Sequence, residues 1–361
     1  MSADPFTSGQ SLTLGQRLAR QIEAGGPISI AHYMAEANAH YYGSRDPLGA
    51  AGDFTTSPEI SQMFGELIGL CLADGWMQAG RRPDPLYVEL GPGRGTLAGD
   101  ALRAMQAAAL TPRVHLVETS PTLRERQLAA LPHAIHHDDF DSVPDQGPLL
   151  IVANEFFDAL PVRQLVRTEK GWRERVVIAG EGDAGERFEA LAGYRAMDAA
   201  VPAHLSGAPM GSILETSPAC ATVAFTIAHR IRKQGGVALF IDYGYEGPAV
   251  GDTLQAVRQH RMSDPFVDVG ESDLTAHVDF GTIGNIGRQE GLTVLGPVGQ
   301  GTFLSALGID ARAASLTRAQ PERASEIEAA RARLVAPDQM GTLFKAMAFV
   351  HPDWSGLEGF A

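Results

Sequence analysis

From residue 85 onward, short apolar runs alternate with stretches whose apolar positions recur at helical spacing. Residues 85–90, 113–118, 134–136, 148–153, 237–242, 292–297 and 344–350 read as strands, and 96–109 and 218–233 as helices. The run Pro148-Leu149-Leu150-Ile151-Val152-Ala153 is apolar throughout, as a central strand covered on both faces requires. Strand–helix alternation of this kind implies an α/β fold with a parallel sheet and right-handed crossovers.

Two regions depart from the alternation. Ahead of it, residues 11–26 predict a helix with Leu12, Leu18 and Ile22 on one face and Gly25-Gly26 as its stop. Ser29 caps a second helix over 30–40, and the Gly-, Asp- and Pro-rich residues 43–56 read as a long loop. Thr56-Ser57-Pro58-Glu59 predicts a helix start with a capping box, followed by a broad apolar face from Ile60 to Leu72. Inside the alternation, residues 161–211 break the pattern. Residues 164–168 and 172–178 predict a hairpin around Glu169-Lys170-Gly171, and a Gly-, Ala- and acid-rich stretch follows. The expected organisation is therefore an N-terminal helical region with a lid loop (1–84), a Rossmann-like domain (85–160 plus 212–350) and an inserted substrate cap (161–211). The arginines of 309–335 alternate with glutamates, the pattern of a solvated helix face.

Candidate chemistry concentrates where strands end. Leu86-Tyr87-Val88-Glu89-Leu90 runs into Gly91-Pro92-Gly93-Arg94-Gly95, and a helix begins near Thr96. Glycines 91, 93 and 95 let the backbone bend and lie against a ligand, while the helix start offers free N–H groups. Residues 93–98 fit the G-x-G-x-x-A variant of a dinucleotide turn. Glu89 decides against that reading, because a carboxylate at the strand end repels a pyrophosphate and suits the sulfonium and ammonium of S-adenosylmethionine (SAM). Glu118, at the end of the second strand and 23 positions beyond Gly95, has the offset of an acid that accepts ribose hydroxyls. Asp138 and Asp139 follow the third strand, where an acid commonly meets the adenine amino group. His136-His137-Asp138-Asp139 are metal-ligand types, but neighbours on a strand point to opposite faces and no metal is expected. The fourth strand runs into Asn154-Glu155-Phe156-Phe157-Asp158, a turn expected to border the methyl donor, with Asn154 toward the cofactor. Phe156 and Phe157 read as core plugs. Asp242 ends the fifth strand, and His277 reads either as a proton acceptor or as a hydrogen-bonded structural histidine.

Composition narrows the function class. The chain has 361 residues, 44% of them hydrophobic and 20% charged, as in a globular protein with a large core. A net charge of −14 argues against a general nucleic-acid surface and is compatible with a basic substrate. Two cysteines, Cys71 and Cys220, make no disulfide or zinc framework and point to a reducing compartment. No apolar run approaches the length of a membrane span. Residues 1–10 contain Asp4 and no Arg or Lys, so neither a signal peptide nor a basic transit peptide is expected.

Five segments carry a family resemblance: Gly52-Asp53-Phe54-Thr55-Thr56-Ser57-Pro58-Glu59 continuing to Glu66, Glu89-Leu90-Gly91-Pro92-Gly93-Arg94-Gly95-Thr96, Asn154-Glu155-Phe156-Phe157-Asp158-Ala159-Leu160-Pro161-Val162, Ile241-Asp242-Tyr243-Gly244, and residues 273–280. In this order they resemble the MidA-like methyltransferases, relatives of the mitochondrial arginine methyltransferase of complex I assembly. The resemblance implies a class I SAM-methyltransferase fold, SAM as cofactor and, for characterised mitochondrial members, methylation of an arginine on a core subunit of respiratory complex I. Without the targeting peptide of those members, the expectation is a bacterial, cytoplasmic homologue acting on a protein substrate. A carboxylate pair that holds and deprotonates the guanidinium is expected at Glu155 and Asp158, with Asp242 and His277 in reserve. Competing readings are a SAM-binding assembly factor with little catalysis, a small-molecule methyltransferase and an NAD-dependent oxidoreductase.

Overall fold

A computed structural model describes residues 12–44, 55–181 and 187–360. Most of the expected lid loop, residues 45–54, lies outside the described residues.

The strand Leu86–Leu90 is buried at every position and lies mid-sheet. Its parallel neighbours are Arg113–Val117 on one side and Leu149–Asn154 on the other. Ile135–His137 continues the sheet beyond Arg113–Val117, and Gly236–Tyr245 continues it beyond Leu149–Asn154. The strand order thus reverses at Leu86–Leu90, which creates a crevice at the carboxyl ends of the strands, directly beyond Glu89. Phe344–Val350 inserts antiparallel between Gly236–Tyr245 and Thr293–Gly299. The mostly parallel α/β sheet read from the alternation is present, with one reversed strand.

Helices cover both faces. Gln62–Gln78 and Thr96–Ala107 pack on one face so closely that a Cβ on Gly69 would lie 2.4 Å from the Ala101 carbonyl oxygen. Pro218–Gln234 and Phe280–Gln289 cover the other face, burying Ile227, Ile231, Phe280 and Ile283 against Phe240 and Phe349. The arginine-rich stretch is two helices, Ile309–Ala319 and Ala324–Val335, separated by a turn at Pro321. Arg312 departs from the expected solvated face: it donates to both oxygens of the buried Glu66 carboxylate at 2.7 and 3.0 Å.

The inserted region is a sheet of wider membership than residues 161–211. Arg163–Thr168 and Gly171–Ala179 form the expected hairpin. Phe188–Ala196 adds to one edge, Ile213–Thr216 pairs with Arg163–Thr168, and Ile28–Ser29 pairs with Val176 and Val177. Leu14, Leu18, Tyr33 and Met34 of the N-terminal helices share a core with Val162, Val177 and Phe188. The helices Leu14–Gly25 and Ile30–Ser44 and the insert form one layer, and Ala256, Leu274 and Ala276 complete their shared core. Residues 246–281, which carry few apolar runs, hold a small sheet of Gln255–Arg258, Arg261–Ser263 and Asp273–Thr275.

Local capping departs from expectation at Thr56. Thr56 makes no side-chain cap, so the predicted capping box is absent, and the first turn Ser57–Ile60 breaks at Ser61, whose hydroxyl caps Gln62–Gln78. Ser120 precedes the helix Pro121–Ala130 without capping it, whereas Ser29 and Ser217 do accept helix N–H groups.

Candidate active site

A cleft of about 510 Å³ opens over the carboxyl ends of Leu86–Leu90, Arg113–Val117 and Leu149–Asn154. Glu89, Gly91, Gly93, Thr96, Glu118, Asn154 and Glu155 line it together. Gly91 needs to be glycine twice over: its φ is +62°, and a Cβ there would lie 2.9 Å from the Phe156 ring. Gly95 sits just behind the lining at the left-handed N-cap of Thr96–Ala107. Thr96 donates its hydroxyl to Glu59, and Glu59 lies 3.7 Å from Arg94. That carboxylate binds the segment after residue 54 onto the glycine turn, which is where it goes instead of into a capping box.

Two carboxyls flank the glycine turn. Glu89 is buried and takes the Tyr87 hydroxyl, two residues back on the same face of the strand. Burial raises its pKa to about 8, opposed by the Tyr87 hydrogen bond. Glu118 accepts the Ser120 N–H at 2.8 Å and the Gln127 side-chain amide at 3.3 Å, and burial raises its pKa. Ser120 has a buried hydroxyl with no partner among the described residues, and it lines the same cleft. Asn154 Oδ1 is likewise buried, unpartnered and in the lining. Buried polar atoms are almost always paired, so two orphans in one cleft mark places for ligand atoms.

The turn after the fourth strand is built from within. Glu155 has a φ of +48°, a conformation that costs a non-glycine residue about 1–3 kcal/mol. Asp242 sustains it: one of its oxygens accepts the backbone N–H groups of Phe156, Phe157 and Asp158 at 3.2, 3.0 and 3.2 Å, and the other accepts Tyr243 N–H at 2.9 Å. Glu155 Oε1 accepts Ser57 N–H at 2.8 Å and the Asn154 amide at 3.2 Å. Because Oε1 is an acceptor, the Asn154 amide must turn its nitrogen to it, which leaves Oδ1 toward the cleft. Burial, aided by the Asp158 charge, lifts the Glu155 pKa to about 7 despite the Ser57 and Asn154 hydrogen bonds.

Several expected site residues lie elsewhere. Asp158 is buried behind the turn, hydrogen-bonded to Tyr243 and lifted by burial to about 6, and it does not line the cleft. Asp242 also stays out of the cleft, occupied by four backbone donors, while burial and the neighbouring Asp158 and Glu155 raise its pKa. His277 packs edge-on against the Tyr243 ring and borders a separate cavity of about 340 Å³ with Phe157 and Tyr245. The expected partner pair is therefore reduced to Glu155 on the cleft side. Asp138 and Asp139 are absent from the lining too. The strand before them is only Ile135–His137, so the chain turns away early. Asp138 pairs with Arg124 at 2.6 Å and Asp139 caps a short helical turn at Phe140–Ser142. Phe156 is not a core plug but a wall of the cleft, whereas Phe157 is buried as expected. Asn38 and Tyr42, from the helix Ile30–Ser44, complete the wall and had no motif to announce them. Asn38 donates to the Ala159 and Leu274 carbonyls at 3.0 and 2.8 Å, which pins that helix over the turn.

A doubly wound sheet with one reversed strand, a glycine turn at its switch point and carboxyls on either side defines an α/β methyltransferase architecture. The chain belongs to the S-adenosyl-L-methionine-dependent methyltransferase family whose model matches residues 67–298. A Drosophila melanogaster relative, named protein arginine methyltransferase NDUFAF7 homolog, mitochondrial, is 38% identical over 93% of this chain and 84% of its own. The Homo sapiens protein arginine methyltransferase NDUFAF7, mitochondrial, is 33% identical over 93% of this chain and 82% of its own. Among solved structures, a COG1565 superfamily protein from Burkholderia thailandensis bound to S-adenosyl-homocysteine matches with a TM-score of 0.84 and 30% identity, covering 96% of this chain and 94% of that one. The MidA-like resemblance is thus established, and the protein is a SAM-dependent methyltransferase rather than an oxidoreductase. The expected cytoplasmic placement does not stand, because the curated relatives are mitochondrial proteins.

Proposed function

We propose that this methyltransferase modifies an arginine side chain of a protein, and that Glu155 is the group that engages the guanidinium. The observation that carries the reading is Glu155 itself: a half-buried carboxyl, raised to about 7, in the wall of the cofactor cleft beside an unpartnered Asn154 Oδ1. The names of the relatives at 33–38% identity support the same acceptor class.

Bound SAM supplies an electrophilic methyl group; the chain supplies position and electrostatics. Glu89 is placed for the cationic amino-acid portion, and Glu118 for the ribose hydroxyls. An arginine is a poor nucleophile because its charge is delocalised and its pKa exceeds about 12. Glu155 as carboxylate draws that charge away from the attacking nitrogen and accepts the proton as the new N–C bond forms. Ser57 and Asn154 fix the carboxylate so that no reorientation is needed during the step. Asp242 acts through the turn, not on the substrate. A core subunit of respiratory complex I is the acceptor that the family resemblance suggests.

The test is a mass-spectrometric survey of methylarginine in cells with and without the gene, with complex I subunits purified separately. The reading requires at least one arginine whose methylation disappears with the gene. An unchanged methylarginine inventory contradicts it.

A further inference from the structure

We infer that Gln127, which does not line the cleft, is a positioning residue that locks the glycine turn to the ribose carboxyl and so sets the affinity for the cofactor. The inference rests on the reading of Glu118 as the ribose-binding acid.

Gln127 lies on the helix Pro121–Ala130 and is fully buried. Its amide nitrogen donates to the Gly93 carbonyl at 2.6 Å and to Glu118 Oε2 at 3.3 Å. Its amide oxygen meets His136 Nε2 at 2.9 Å. Both atoms facing the nitrogen are pure acceptors, so the amide has one orientation, and His136 must carry its proton on Nε2 to donate to the oxygen. One side chain therefore joins the middle of the glycine turn, the acid at the end of the second strand, and the third strand. Arg124, one helical turn earlier, ties two of these places, the ends of the second and third strands, through backbone, donating to the Glu118 and His137 carbonyls at 2.6 and 2.9 Å. Arg124 leaves the Glu118 carboxylate untouched in these contacts. The Ser120 and Thr119 backbone N–H groups also bond that carboxylate, Ser120 on Oε1, and Gln127 is the side chain that reaches Oε2.

A buried glutamine on a helix that needs no polar residue for its own stability is costly unless its hydrogen bonds are used. These bonds converge on two pieces of backbone and carboxylate that a bound adenosine must find already in place. Pre-aimed acceptors spare the ordering that would otherwise weaken binding.

The experiment is calorimetric titration of the purified full chain with S-adenosylhomocysteine, for wild type, Gln127→Met, Glu118→Ala and the double variant. Methionine keeps the length of the side chain and removes only its hydrogen bonds. Gln127→Met is expected to weaken binding about tenfold, equivalent to roughly 1.4 kcal/mol. In the Glu118→Ala background the same change is expected to weaken it less than about threefold, the signature of coupling through that carboxylate. An unchanged affinity in Gln127→Met overturns the inference, as does an equal loss in both backgrounds, which is what a merely structural role produces. Loss of affinity in Gln127→Met with none in Glu118→Ala also overturns it, and that outcome specifically defeats the ribose reading of Glu118. Should Gln127→Met fail to fold, His136→Phe removes the partner of the amide oxygen and so loosens the anchoring of Gln127 while leaving its two acceptors in place. It is expected to give a smaller loss of the same sign, and no loss overturns the inference.

Discussion

The backbone N–H of Ser57 donates to Glu155 Oε1 at 2.8 Å across 98 residues of sequence. One partner opens the first helical turn after residue 54; the other begins the turn that ends the fourth parallel strand. The contact places a carboxylate acceptor on the cofactor cleft and makes its orientation depend on the N-terminal layer.

Cofactor binding should titrate with Glu89. Without ligand its pKa is about 8, so near neutrality the group is mostly protonated. The cationic portion of SAM favours the carboxylate, so binding must expel a proton, and affinity rises with pH. Between pH 6 and 7.5 the dissociation constant should fall by up to about tenfold per unit. Glu89→Gln should weaken binding and flatten that slope in calorimetric titrations.

The same groups govern stability of the ligand-free chain. Glu89, Glu155 and Asp158 have folded pKa values of about 8, 7 and 6, above those of unfolded carboxyls. In that window the unfolded state binds fewer protons, so stability falls as pH rises from about 5 to 8. The unfolding midpoint should therefore be higher at pH 5.5 than at pH 8, and added SAM should narrow the gap.

Gly91→Ala should impair the cofactor site specifically. The added methyl group meets a positive φ of +62° and the Phe156 ring at 2.9 Å. We expect a loss of about 1–2 kcal/mol in stability and at least tenfold in affinity for S-adenosylhomocysteine. Adding Phe156→Ala should recover part of the affinity, because it removes the clash but not the backbone strain.

Asp242→Ala tests the turn that holds Glu155. It leaves four backbone N–H groups without their acceptor and should destabilise the fold by about 3 kcal/mol or more. Circular-dichroism melts measure this loss, and methyl transfer should fall with it, since Glu155 depends on the same turn.

The central sheet was legible because its strands are covered on both faces, which leaves apolar runs such as Leu149–Asn154 that nothing else explains. Glu89 and the glycines were legible for a related reason: they follow a strand end in sequence, so local pattern alone puts them at the crevice. Sequence does not say on which side of a turn a carboxylate points. That is why Asp158 and Asp242 resembled Glu155 as candidates although only Glu155 reaches the cleft. Asp138 and Asp139 were misplaced because the third strand is short and the chain leaves before the cleft. Non-local pairing, such as Ile28–Ser29 on Val176 and Val177, left no periodic trace, so the N-terminal region read as a separate unit. Gln127 and Ser120 gave no signal either, since a single polar residue at a helix start or on a helix face is ordinarily solvated.

The most direct test of the account is Glu155→Gln, followed by two readings on the same protein. Calorimetry with S-adenosylhomocysteine should give a dissociation constant within about threefold of wild type, while methylarginine on the acceptor, measured by mass spectrometry in cells carrying the variant, should be lost by about a hundredfold or more. Retained arginine methylation, or cofactor affinity lost along with activity, would contradict the assignment of Glu155 to the acceptor.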